Sequence, residues 1–139
     1  MTAGDPPVFE CAVALIVADG RVLLGHRSKD RPTYPDVWDL FGGHVEKGET
    51  VEDALARELD EELAITPTAF ERFTELAEPE AGPYGRKRYT IFKVTAWEGA
   101  GPRLTGDEHT EIAWFTPDEA RQADLAHRVY RTLIADAVG

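Results

Sequence analysis

Between residues 57 and 62 the chain reads Arg-Glu-Leu-Asp-Glu-Glu, the densest set of reactive side chains in the sequence. If this stretch is helical, spacings of three and four residues bring Glu58, Glu61 and Glu62 to one side. That side adjoins the apolar stripe of Val51, Leu55, Leu59 and Leu63. Carboxylates crowded at the edge of a core repel one another, and partial desolvation raises the cost. Protonation, a basic neighbour or a divalent cation would offset it. Oxygen donors in a half-open site suit a hard ion such as Mg²⁺ or Mn²⁺, which is the favoured reading. A merely solvated acidic face accounts for Glu52, Asp53 and Asp60, which point away from the stripe. It does not explain why a glycine loop feeds acids gathered on the core edge.

The elements that must position these acids are legible nearby. Gly42-Gly43 and Gly48 mark a loop, Thr50 is a helix N-cap with Asp53 three residues on, and Val51 to Leu63 reads as helix. The stretch from Gly43 to Ile65 resembles the signature box of the Nudix hydrolases. Gly43, Glu49, Arg57, Glu58, Leu59, Glu61, Glu62 and Ile65 stand at the family's positions, and Ala64 stands where the family has glycine. Glycine after a helix supplies a left-handed cap, and alanine in that conformation costs about 1–2 kcal/mol. The departure is therefore expected to touch stability rather than activity.

The resemblance implies an α/β fold, a Nudix-type α/β/α sandwich with a mixed β-sheet between helices. It implies hydrolysis of a nucleoside diphosphate linked to another group, with Mg²⁺ the expected cofactor and Mn²⁺ an alternative. Glu58, Glu61 and Glu62 would bind the metal with the backbone carbonyl of Gly43. Arg57 would orient the glutamates, and Glu49 would support it by bonding back. The general base is either Glu61 or a glutamate on a later loop. The segment Gly-Asp-Glu-His-Thr-Glu from residue 106 resembles that loop, with Glu108 the candidate and Glu111 the reserve.

The short chain favours the branch that converts a nucleoside triphosphate, oxidised or not, to monophosphate and pyrophosphate. ADP-ribose, a nucleotide sugar or a dinucleoside polyphosphate are the alternatives. A non-catalytic nucleotide sensor is the reading from another class, but such proteins usually lose box glutamates that this chain retains. Some 8-oxoguanine nucleotide hydrolases use an asparagine near the last helix, and this chain has no Asn at all.

Composition bounds the rest. A chain of 139 residues has room for one core, read as a tail over residues 1–7 and a single domain over 8–139. The apolar run Cys11 to Ala18 is too short to span a membrane and follows acidic rather than basic residues, so no signal peptide is expected. The lone Cys11 excludes an intramolecular disulfide and suggests an inert thiol in a cytoplasmic protein. A net charge of −11 disfavours nucleic-acid polymers and anionic membranes as partners. A small nucleotide remains compatible, since eight of the twenty-six acids fall inside the box, where a cation can bridge them to phosphate. A homodimer is allowed but not indicated.

In chain order, Val8 to Ala18 reads as a central strand, Asp19-Gly20 as a hairpin turn and Arg21 to His26 as the returning strand. Arg27 to Asp36 is a basic, proline-punctuated loop from which Arg27, Lys29 and Arg31 could reach substrate phosphates. A strand over Val37 to Phe41 leads into the glycine pair. Further strands are expected over Ala69 to Ala77, Arg88 to Ala96 and Glu111 to Phe115. A short helix should begin at the capping box of Thr116, and a final helix should span Leu125 to Ala137.

Trp38, Tyr84, Phe92 and Trp114 are candidates for stacking on a base, with Tyr84 preferred as a substrate residue. The histidines form no metal-ligand pattern. His44 follows Gly43 and could approach phosphate, whereas His26, His109 and His127 have solvent or packing explanations.

Overall fold

The structure, a computed structural model, describes residues 8–32, 34–77 and 86–138. The expected tail over residues 1–7 lies outside them, as do Pro79, Pro83 and Tyr84. Among the described residues, seven strands and three helices follow in the order β1 (Val8–Ala18), β2 (Arg21–Arg27), β3 (Trp38–Asp39), β4 (Phe41–His44), α1 (Val51–Leu63), β5 (Thr66–Ala77), β6 (Arg86–Glu98), β7 (His109–Phe115), α2 (Pro117–Gln122) and α3 (Tyr130–Val138).

β1 is the spine. It runs parallel to β6 from Val8↔Arg86 to Ile16↔Val94, pairs antiparallel with β4 through Cys11 to Ala14, and meets β2 only at the hairpin tip. β5 closes one edge against β6, while β2 continues to β3 and β7. The sheet is therefore mixed. Alternation along β1 splits its side chains between two cores: Cys11, Val13 and Leu15 join Tyr130, Leu133 and Ile134 of α3, while Ala12, Ala14 and Ile16 join Leu55, Leu59 and Leu63 of α1. A strand buried on both faces needs this near-continuous apolar run. The layering is helix, sheet, helix, as the resemblance implied.

The three leucines of α1 have no exposed surface, and truncating any one of them to alanine should cost about 2–5 kcal/mol. At its start, Thr50 Oγ1 accepts the Asp53 N–H at 3.1 Å, closing a capping box. At its end, Ala64 takes φ 56° and ψ 37°, the left-handed cap for which the family uses glycine.

Three local expectations differ from the structure. Gly42 and Gly43 lie within β4 rather than in a loop. The segment Val37 to Phe41 is not one strand, because the chain switches partners after Asp39, leaving β2 for β1. The last helix begins at Tyr130 rather than Leu125. The intervening residues are held otherwise: the Trp38 N–H donates to the Asp124 carbonyl at 2.8 Å and the Ala126 N–H to the Trp38 carbonyl at 2.9 Å. A bridge to β3 replaces the first turn and a half of helix.

Candidate active site

Arg57 organises the box. Its Nε donates to Glu49 Oε2 at 2.8 Å and its Nη2 to Glu49 Oε1 at 3.0 Å, a two-pronged pair that fixes the guanidinium plane. From that plane Nη1 donates to Glu58 Oε1 at 3.0 Å, and Nη2 also donates to the His44 carbonyl at 3.0 Å. Glu49 is anchored in turn, accepting the Glu46 N–H at 2.9 Å. The hydrogen bonds from Arg57, then that from Glu46, hold the Glu49 carboxyl below the usual range. The same contact with Glu49 raises Arg57 further above its ordinary value.

The three box glutamates are not equivalent. Glu58 and Glu62 are buried against β4, whereas the Glu61 side chain is 57% exposed and takes only a long contact of 3.4 Å from Arg57. The helical stripe expected to hold all three thus divides at the core edge. Burial pushes Glu58 up while Arg57 opposes it. Glu62 has no arginine to relieve it: it is 4% exposed, and its polar neighbours are the Glu108 carboxyl, with which it hydrogen-bonds, and the Gly42 backbone. Burial, followed by the neighbouring Glu108 carboxylate, drives Glu62 far above the usual carboxylate range. Arg57 therefore relieves Glu58, and Glu62 is left to protonation or to a cation.

The glycines of β4 permit this packing. A Cβ on Gly43 would stand 2.3 Å from Glu58 Oε1, and one on Gly42 would stand 2.1 Å from the Ala12 carbonyl oxygen. Bare backbone at 43 lets a carboxylate lie directly against the strand.

Past that strand opens a cavity of about 570 Å³. Glu58, Glu108 and Glu46 supply carboxylates to its wall; Arg27, Arg31 and Lys87 supply cations; Phe9, Tyr34, Tyr89, His127 and Tyr130 supply rings. Arg27 is buried, with Nε donating to the Tyr34 carbonyl at 3.0 Å and Nη1 3.9 Å from Asp39. Burial pushes the Asp39 carboxyl up to about 6 against the pull of Arg27. His44 stacks on Phe9 at 5.7 Å between ring centroids, and burial followed by the Lys87 charge lowers its pKa.

Glu108 stands beside Glu62 and His109; each of the three offers a ligand atom within 4.8 Å of the other two. Burial acts to raise Glu108 too, but its hydrogen bond with Glu62, backed by the positive charges of Arg31 and Arg27, outweighs it and leaves it below the ordinary range. His109 is held down at about 4, chiefly by burial, so its ring is neutral.

Arg27, His44, Gly43, Glu58 and Glu108 thus meet at one cavity, with Glu62 behind Glu108. Lys29 is exposed and is not on the wall, and Glu111 is exposed on β7 opposite His26. The proposed stacking residues do not meet there. Phe92 belongs to the α1 core, Trp38 packs edge-on against Phe115, and Trp114 lies over Trp97. Side-chain alternation sent each of them elsewhere, and Tyr84 lies outside the described residues.

Sequence reasoning missed Lys87, whose signal was the basic run Arg86-Lys87-Arg88 in an acidic chain. It gave His109 a solvent or packing explanation, and the ring is buried against Phe41 and Gly25; that it also stands beside Glu62 left no signal in spacing. Asp39 and the ring wall left no signal in spacing.

A divalent cation suits this donor set, since a deeply buried carboxyl with a second one and an imidazole beside it are groups that a cation would satisfy. No helix among the described residues is long and apolar enough to cross a membrane.

The family model described as NUDIX domain matches residues 9–137. A nucleoside triphosphatase NudI from Escherichia fergusonii is 35% identical over 127 residues, covering 86% of this chain and 89% of that protein. The homologue of the same name from Escherichia coli O139:H28 is 33% identical over 129 residues, with the same 86% and 89% coverage. Among solved structures, a MutT NUDIX hydrolase from Burkholderia pseudomallei superposes with a TM-score of 0.82 at 29% identity, covering 96% of this chain and 99% of that one. The E. coli ORF135 protein gives 0.78 at 28% identity, covering 97% and 91%. The box, the sheet that carries it and these likenesses agree: the chain belongs to the NUDIX family and is a Nudix hydrolase.

Proposed function

We propose that the chain hydrolyses a nucleoside triphosphate to the monophosphate and pyrophosphate in a reaction that depends on a divalent cation. The observation that carries this reading is the division of the cavity wall. Carboxylates stand beside Gly43, Arg27, Arg31 and Lys87 supply positive charge, and aromatic rings complete the same space. Such a wall complements a cation, a polyphosphate and a base in one molecule. The nucleoside triphosphatase relatives of similar length support the same substrate class.

Glu58, Glu62, Glu108 and the Gly43 carbonyl would hold the cation. When bound, it neutralises phosphate oxygens and acidifies the water that attacks phosphorus. Arg57 fixes Glu58 before substrate arrives, so little reorganisation is left for the reaction itself. Arg27, braced by the Tyr34 carbonyl and Asp39, presents charge to the phosphates from a fixed position, and Lys87 adds a second cation from β6. Glu61 faces solvent beside Glu58 and takes the proton of the attacking water. The chain works in the cytoplasm, where Mg²⁺ and nucleotides are both at hand.

The test is a panel of nucleoside triphosphates, oxidised triphosphates, ADP-ribose and dinucleoside polyphosphates with Mg²⁺, products separated by chromatography. Monophosphate plus pyrophosphate from a triphosphate is expected. Faster turnover of ADP-ribose than of every triphosphate overturns the reading. Glu61→Gln should lower kcat by about 100-fold or more in a folded protein.

A further inference from the structure

We propose that His109 is a direct nitrogen ligand to the cation, making the corner formed by Glu62, Glu108 and His109 a mixed nitrogen and oxygen site that favours Mn²⁺ over Mg²⁺. The inference rests on the reading of the site as cation-dependent. It goes beyond that reading by adding a donor outside the box and a metal preference.

Three observations carry it. First, the ligand atoms of Glu62, Glu108 and His109 all lie within 4.8 Å of one another, close enough for one ion to contact them all after small shifts. Second, a polar atom there lacks a partner. His109 is 6% exposed and its Nε2 has no hydrogen-bond partner among the described residues, while the buried Glu62 beside it has the Glu108 carboxyl and the Gly42 backbone as its polar neighbours. A histidine buried for packing alone normally finds a partner for each ring nitrogen, because a buried polar group without one is costly. One unpartnered nitrogen beside two crowded, buried carboxyl groups is the arrangement that an ion would complete.

Third, the ring is seated by its surroundings. A Cβ on Gly25 would stand 2.6 Å from His109 Cδ2 and 2.8 Å from Cγ, so the bare backbone of β2 forms a slot for the imidazole. Phe41 closes on the ring from another side, at 4.9 Å between centroids. The pairing of β2 with β7 shifts register between His26 and Arg27, next to the Arg27↔His109 pair. Bulges of this kind re-aim side chains near functional sites. Two neighbouring strands, β2 and β4, thus fix where the ring nitrogens lie.

The metal preference follows from donor chemistry. Mg²⁺ demands oxygen ligands, whereas Mn²⁺ and the later first-row ions accept imidazole as well. Replacing one oxygen donor by His109 therefore weakens the case for Mg²⁺ and leaves Mn²⁺ well served.

The experiment loads the metal-free protein with Mn²⁺ and records electron spin echo envelope modulation, which detects ¹⁴N bonded to the ion. Titrations of Mn²⁺ and Mg²⁺ run alongside on the wild type, His109→Phe and Gly25→Ala. The expected result is a ¹⁴N coupling in the wild type that disappears in His109→Phe. Mn²⁺ affinity should fall about tenfold or more in that variant, with Mg²⁺ affinity nearly unchanged. Gly25→Ala, which keeps the imidazole but crowds its slot, should weaken Mn²⁺ in the same direction. Bound Mn²⁺ without ¹⁴N coupling in the wild type overturns the inference and spares the cation-dependent reading. No binding of either metal overturns both. The wild-type spectrum decides the question even if His109→Phe fails to fold.

Discussion

Arg57 grips Glu49 with two hydrogen bonds, of 2.8 and 3.0 Å, and this pairing across eight residues ties the loop before α1 to the helix that carries the acids. The guanidinium is then committed, and Glu58 and the His44 carbonyl are placed by what remains of its fork. Lysine cannot reproduce that geometry, because it is a point charge without a planar set of donors. Arg57→Lys should keep the fold and lower kcat about 10–100-fold, with a smaller effect on KM. Steady-state kinetics beside circular dichroism measure both, and unchanged kcat would show that the fork has no part in catalysis.

Ala64 pays for its left-handed cap in every folded molecule. Glycine removes that penalty of about 1–2 kcal/mol but adds freedom to the unfolded chain, leaving Ala64→Gly more stable by about 0.5–1 kcal/mol. Urea denaturation of the two proteins gives the difference. Activity should not change, since Ala64 caps the helix beyond the last box glutamate.

Glu62 is costly without a cation. Its folded pKa lies above its unfolded value, so the folded state holds a proton that the unfolded chain releases above about pH 4.5. The contribution of Glu62 to the stability of the metal-free protein is therefore greatest below that pH and is lost as pH rises. Glu62→Gln removes the titration, and at neutral pH the metal-free variant should be more stable by about 1 kcal/mol or more while losing cation-dependent turnover. Thermal melts with and without added cation test both halves. A less stable metal-free variant would mean that the buried carboxylate is better solvated than its surroundings imply.

Asp39 gives a second pH signature, on β3 rather than on α1. Burial moves its carboxyl to about 6 in the fold from an ordinary value of 3.8, so its contribution is lost as pH rises from below 3.8 through 6. A shift of that size corresponds to about 3 kcal/mol. Asp39→Asn should flatten the profile of unfolding free energy over this window, and the difference between the two profiles isolates the group. Parallel profiles would show that Arg27 compensates the burial of Asp39 fully.

Cation addition should shift all of these readings together. Binding requires Glu62 to release its proton, so apparent affinity should rise with pH and each binding event should release protons. Calorimetry in two buffers of different ionisation enthalpy counts them. A heat independent of buffer would place the cation elsewhere.

Sequence alone determined the parts of this protein that are local. Eight box residues at fixed spacing named the family, the Thr50 and Thr116 capping boxes set two helix starts, and Asp19-Gly20 set a hairpin tip. The alternating runs of β1 and β6 gave strands, because periodicity and capping depend only on neighbours in the chain. Tertiary structure decided what depends on which surfaces meet. It turned the glycine pair into a strand, because β1 offered an edge to pair with and Glu58 needed bare backbone beside it. It buried Glu58 and Glu62 and left Glu61 in solvent, although the helix alone grouped all three. It carried His109 from the far end of the chain to Glu62, and it lined the cavity with rings other than the ones that spacing suggested. Contacts between residues tens of positions apart leave no period in the sequence, so only the packed sheet could show which side chains share a site.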